Sequence, residues 1–170
     1  PKTWVNQQKA SFVYDSSLGY NQLIGFRGGI CLPFTPWDSK DKNKIPIHEL
    51  PIIVQDNALF EGENSVSEVL DRCKELINVT YAHNGVFTLL WHACVSKMAK
   101  PYLTESYQKV IEYASRYNPW YTNCASLTEW WILRGQVVLE AEKRDMSRFE
   151  FKAISPKEYD DFSINIHIPR

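Results

Sequence analysis

The sequence lacks the features that mark nucleic-acid-binding or membrane-spanning proteins. Its 19 basic residues are balanced by 20 acidic ones, which leaves a net charge of −1. Because a nucleic-acid surface needs clustered basic side chains, this even mixture argues against a nucleic-acid partner. No apolar run approaches the ~20 residues that a spanning helix requires, and no signal-peptide pattern opens the sequence. We therefore expect neither nucleic-acid binding nor a membrane segment.

Cysteine is scarce as well. The four cysteines are Cys31, Cys73, Cys94 and Cys124, and no two have the CxxC spacing of a zinc knuckle. Cysteines without an evident pairing pattern slightly favour the cytoplasm. Cys73 and Cys94 stand among apolar residues, so we expect both to pack in the core as small hydrophobic side chains.

Apolar and aromatic residues are abundant. The 170 residues are 44% hydrophobic and 14% aromatic, and six of them are tryptophan. This length and composition exclude a disordered chain and suffice for one domain with a proper core. Aromatic side chains at this density either pack a core or stack on sugar rings, and packing is the favoured interpretation.

Apolar periodicity predicts three complete helices. The first covers residues 65–81, where apolar side chains recur at helical spacing from Val66 to Ile77. Ser65 and Glu68 have the spacing of a capping box at its start. We predict the others over residues 103–117, starting at Thr104 and Glu105, and over residues 126–144. Residues 1–10 have the mixed polarity expected at the end of a helix that begins earlier.

Three apolar segments predict strands: "SFVYD" (11–15), "HELPIIVQD" (48–56) and "GVFTLLWH" (85–92). These strands are apolar rather than alternating, and helices separate the later ones, which indicates a parallel sheet in an α/β fold. Asp15, Asp56 and His92 close these strands, at the edge where α/β proteins place functional groups. Further on, "RFEFKAI" (148–154) and "FSINIHI" (162–168) alternate, which predicts a small β module that begins near residue 147 and is cut off at Arg170.

Four segments carry a family resemblance: "FVYDSSLGY", "GFRGGICLPF", "ELPIIVQDNALF" and "LLWHAC". In this order and spacing they resemble the later half of bacterial polysaccharide deacetylases, carbohydrate esterase family four. The resemblance implies the later half of a distorted (β/α) barrel over residues 1–145, followed by the start of a β-rich module over residues 146–170. It also implies a metal-dependent enzyme that hydrolyses acetyl groups from acetylated sugars.

The metal ligands of that family are missing from this sequence. The family binds a divalent metal, usually zinc, through an Asp-Asp motif and a His-x-x-x-His motif, and neither occurs here. The four histidines are His48, His83, His92 and His167, and no two are four residues apart. Both motifs precede the "YDSSLG" segment in the family, so we expect them upstream of Pro1 in a longer protein. We expect this chain alone to bind no zinc tightly and to be inactive without that N-terminal half.

The resemblance assigns roles to five residues. His92 is the general acid, Asp56 tunes it, and Arg27 orients the catalytic base. Leu90 and Trp91 are implied to contact the carbohydrate substrate. The chemistry suits these residue types, because an amine leaving group needs a proton and a nearby carboxylate favours the charged form of an imidazole.

Other interpretations remain open for the same residues. His92 can be a structural core histidine, Asp56 a strand-end cap and Arg27 a solvated loop residue. Gln55 and the "GGICLPF" segment depart from the family pattern, which gives some weight to the alternative of a non-catalytic deacetylase-like domain that binds glycan or a protein partner. A plain α/β domain without a site is the third possibility.

Overall fold

A computed structural model describes residues 2–60, 65–92, 101–145 and 148–158, which mix helices with strands. The elements in chain order are α1 (Lys2–Lys9), β1 (Tyr14–Asp15), β2 (Trp37–Asp38), β3 (Asn43–Lys44), β4 (His48–Glu49), β5 (Val54–Gln55), α2 (Asp56–Leu59), α3 (Val66–Ala82), β6 (Leu89–Leu90), α4 (Pro101–Ala114), α5 (Cys124–Gly135), β7 (Val138–Lys143) and β8 (Phe149–Ile154). None of the helices in these described ranges combines the length and apolarity needed to cross a membrane.

The three predicted apolar strands do pair in parallel, as expected. Strand β1 lies beside β4, with Tyr14 opposite His48, and β5 lies beside β6, with Val54 opposite Leu89. The expectation of one continuous sheet is wrong for the described residues, whose strands form separate two-stranded sheets. The segment between β4 and β5 contains Pro51, which has no amide hydrogen for a ladder. The larger barrel therefore remains a proposal.

The core of the first part of the chain forms around helix α3. Its capping box is present as predicted: Ser65 Oγ accepts from the amide of Glu68, whose carboxylate accepts from the amide of Ser65 at 2.7 Å. The helix buries one apolar face against β5, α2 and α4. Cys73 lies on that face as predicted, and burial raises the pKa of its thiol to about 12. Cys94 lies outside the described residues.

Two helix predictions need correction. Helix α4 begins at Pro101, earlier than Thr104, since a proline loses nothing in a first turn whose amides have no partner. The predicted helix over residues 126–144 is wrong in its second half: α5 ends at Gly135, and Val138–Lys143 is strand β7. A glycine in this position weakens the helix, and the alternation that follows it suits an antiparallel partner.

The chain divides into two compact units, Pro1–Thr128 and Glu129–Arg170. In the second unit, β7 and β8 form an antiparallel hairpin with Val138 opposite Ile154. This confirms the strand predicted over residues 148–154. The strand predicted over residues 162–168 lies outside the described residues, and the domain boundary between residues 145 and 146 stays a prediction.

Candidate active site

Asp56 lies where strand β5 passes into helix α2. It is the first residue of that helix, a position that favours a carboxylate because the amide groups of the first turn point towards it. Its Oδ1 accepts from the amide of Asn57 at 2.8 Å. The residue is only 2% exposed, so its carboxylate needs partners within the protein.

His92 supplies two of those partners. Its ring Nδ1 lies 2.7 Å from Asp56 Oδ1, and its backbone amide donates to Asp56 Oδ2 at 2.7 Å. The two residues come together because β5 and β6 are parallel and in register, with Gln55 opposite Leu90. Asp56 and His92, which end two of the predicted strands, therefore lie within hydrogen-bond distance of each other.

The arrangement fixes the orientation of the imidazole. An ionised carboxylate only accepts hydrogen bonds, so the ring hydrogen at Nδ1 points to Asp56. Nε2 is then left for a reacting group, and the His92 side chain is 43% exposed, which makes it accessible. A half-exposed histidine whose tautomer is set by a buried carboxylate can transfer a proton to a bound ligand.

Arg27 contacts the loop that follows β1. Its Nη1 donates to the carbonyl of Gly19 at 2.7 Å, and its guanidinium lies 5.9 Å from the centre of the Tyr20 ring. Gln55 contacts the same loop, because its Nε2 donates to the carbonyls of Tyr20 at 2.6 Å and Asn21 at 3.0 Å. The role of Arg27 in orienting a catalytic base stays a prediction.

The two predicted substrate-contacting residues differ in their surroundings. Leu90 ends β6 with an exposed side chain. Trp91 is half-buried in an aromatic cluster, with its ring 5.7 Å from Phe60 and 5.5 Å from Tyr107 between ring centres. Its indole nitrogen is buried and has no hydrogen-bond partner among the residues that the structure describes. These contacts give Trp91 a packing role, and substrate contact by either residue stays a prediction.

Asp15 is the third predicted strand-end group. It ends β1, which belongs to a different two-stranded sheet from β5 and β6, the strands that Asp56 and His92 follow. It lies opposite Glu49 in the β1–β4 register. Glu49 is fully buried and accepts from Trp4 Nε1 at 2.6 Å and from the Leu18 amide at 2.9 Å. Burial raises the pKa of Glu49 and Asp15 adds to the rise, against the lowering effect of these hydrogen bonds. The Glu49 carboxylate, on β4, is therefore hydrogen-bonded to both α1 and the loop that follows β1.

The described residues do not by themselves fit a zinc site. Within the described ranges, no three side chains of His, Cys, Asp or Glu come together as a metal ion would require. Asp56 and His92 are bonded to each other and supply two donors, whereas protein zinc sites use at least three.

Compared with models of protein families, with curated proteins and with solved structures, the chain matches none of them. The family resemblance therefore rests on the four sequence segments, and the chemical argument rests on the geometry of Asp56 and His92.

Proposed function

We propose that this chain is the later part of a metal-dependent deacetylase that hydrolyses acetyl groups from acetylated glycans. The observation that supports this best is the contact between Asp56 and His92. A buried carboxylate accepts from both the ring and the backbone of a histidine whose side chain remains accessible. This arrangement suits a general acid that protonates a leaving group.

The proposed reaction gives His92 one proton transfer. Water adds to the acetyl carbon, the bond from that carbon to the sugar nitrogen or oxygen breaks, and acetic acid leaves and ionises to acetate in solution. The departing atom takes the proton from His92 Nε2. Asp56 stabilises the imidazolium before the transfer and keeps the ring oriented through Nδ1. The proton lost by water goes to a carboxylate base, which the resemblance places in the N-terminal half.

The exposed apolar surface around β1 is consistent with a further part of the barrel that would cover it. Phe12 is 56% exposed and Val13 is 59% exposed, and the ring of Tyr14 is exposed beside them. Among the described strands, β1 pairs only with β4, so its other edge is open. Adjacent exposed apolar residues at an open strand edge suit a covering segment, since such edges otherwise invite aggregation.

The metal enters this proposal only through the family resemblance. Because the described residues do not fit a zinc site, we place its ligands in the N-terminal half. When bound, the ion would supply Lewis acidity towards water and the acetyl oxygen. The steps assigned to Asp56 and His92 do not depend on its geometry.

Acetate release by the full-length gene product that carries this sequence tests the proposal. Acetylated chito-oligosaccharides and acetylated xylan, supplied with zinc, cover N- and O-linked acetyl groups. We expect acetate release from at least one of them. The variant His83→Asn is a control, because that histidine caps the end of α3 and is exposed. Binding of a glycan without acetate release would favour the glycan-binding alternative. If the protein neither binds a glycan nor releases acetate, the proposal is overturned.

A further inference from the structure

We propose that Tyr20 contacts a sugar ring next to the acetylated one, and that Gln55 and Arg27 are positioning residues that hold it in place. This inference rests on the proposed function and deepens it, because it adds a specificity-determining contact beside the acid. It is carried by hydrogen bonds to one short loop, residues 19–24, which we call the Tyr20 loop.

Backbone hydrogen bonds hold the Tyr20 loop at both of its ends. Just before it, the carbonyl of Leu18 accepts from the amide of Ile52 at 2.9 Å. Just after it, the amide of Gly25 donates to the carbonyl of Ile53 at 2.8 Å. Both anchors belong to the extended segment that runs into β5. The loop therefore leaves this segment and returns to it within six residues.

Two long polar side chains then fix the first half of the loop. Arg27 donates to the carbonyl of Gly19, and Gln55 donates to the carbonyls of Tyr20 and Asn21. Gly19 itself packs so closely that a β-carbon there would lie 3.0 Å from Cβ of Ile52. Three consecutive carbonyls are thus satisfied by side chains, which leaves the backbone around Tyr20 little freedom.

Gln55 ties this loop to the candidate acid. It directly precedes Asp56, and in the parallel register it lies opposite Leu90, two residues before His92. Its amide group is 2.6 Å from the carbonyl of Tyr20. The loop is therefore attached where the two strands deliver Asp56 and His92.

The ring of Tyr20 remains available although its backbone is held. The residue is 39% exposed, and the guanidinium of Arg27 lies 5.9 Å from the centre of its ring. Trp91 instead has Phe60 and Tyr107 against its ring. A tyrosine on a fixed backbone loses little conformational entropy when a ligand packs against it. The apolar face of a neutral pyranose ring is a suitable partner for such an aromatic surface.

Kinetics of the full-length gene product on an acetylated chito-tetraose separate the roles. We expect Tyr20→Ala to raise KM about tenfold, the loss of one aromatic contact, with kcat within about twofold. Tyr20→Phe keeps the ring and should retain the wild-type KM. Tyr121→Ala is the matched control, because Tyr121 is an exposed tyrosine outside the loop.

Gln55→Glu tests the positioning role, because it keeps the side-chain length and replaces the amide donor with an acceptor. We expect Gln55→Glu to raise KM as Tyr20→Ala does. The KM of the double variant should exceed that of Tyr20→Ala by no more than about twofold, since both substitutions act through one contact. Hydrogen exchange of the amides in the Tyr20 loop should also become faster in Gln55→Glu. An unchanged exchange rate together with an unchanged KM would overturn the positioning role.

The inference and the proposed function can fail separately. If acetate is released and Tyr20→Ala leaves KM unchanged, the sugar contact is wrong while the deacetylase proposal stands. If no acetate is released but calorimetry shows tetraose binding that Tyr20→Ala weakens, the contact stands and the enzyme proposal is wrong.

Discussion

Replacing Asp56 should destabilise the fold more than replacing His92, although the two residues form one contact. Asp56→Ala removes the acceptor for both the ring and the backbone amide of His92, each 2.7 Å away. Two hydrogen bonds to a charged group are worth about 3 to 6 kcal/mol. Relief from burying a carboxylate offsets part of that sum, so we expect a net loss of about 3 to 5 kcal/mol.

His92→Ala removes only the ring contact. The backbone amide at position 92 keeps its bond to Asp56 Oδ2, and the lost side chain was 43% exposed. We expect a loss of about 1 to 2 kcal/mol, the value of a single hydrogen bond in a partly solvated setting. The predicted difference between the two variants is therefore about 2 kcal/mol.

Urea unfolding of both variants, followed by near-ultraviolet circular dichroism, measures this difference. The matched control is Asp71→Ala, since Asp71 makes an exposed ion pair with Lys74 that should be worth less than about 1 kcal/mol. If His92→Ala lowers the free energy of unfolding as much as Asp56→Ala does, the dual-acceptor role of the carboxylate is wrong.

Three further outcomes follow from the described contacts. Because burial raises the pKa of Glu49 above 4.5, the folded chain holds this proton more tightly than the unfolded chain. Its contribution to the free energy of unfolding should therefore fall as pH rises from about 4.5 through the raised pKa, and Glu49→Gln should remove this slope in urea titrations; a slope of opposite sign would contradict the assignment. Ser65→Ala should cost about 1 kcal/mol through loss of the α3 cap, measured against Ser67→Ala, and equal losses would refute the capping role. Cys73 should react with iodoacetamide only on unfolding, while half-buried Cys31 reacts in the native state, as peptide mapping by mass spectrometry would show; native labelling of Cys73 would be inconsistent with its burial.

Local patterns in the sequence predicted the elements that depend on local interactions. Helix α3 follows from apolar spacing and from the Ser65–Glu68 cap, and both act within a few residues of chain. The prediction of a helix past Gly135 is wrong because residues Val138–Lys143 instead form a strand that pairs with Phe149–Ile154 across a hairpin. Cross-strand pairing outweighs helical propensity when apolar and polar residues alternate.

The candidate site shows the same limit. Its Asp56–His92 contact was predictable, since residues that end neighbouring parallel strands lie at one edge. The contacts of Gln55 and Arg27 with the Tyr20 loop were not, because a loop's backbone carbonyls give no signal in the sequence. A polar residue at the last position of a buried strand was the one available hint.

The leaving-group dependence of a His92 variant tests the central claim most directly. In the full-length gene product, His92→Asn should lower kcat on an N-acetylated oligosaccharide by about 10² to 10⁴-fold, the usual contribution of a general acid. On 4-nitrophenyl acetate, whose phenolate departs without a proton, the loss should be less than about tenfold. Losses of equal size on both substrates would contradict the assignment of His92 as the acid.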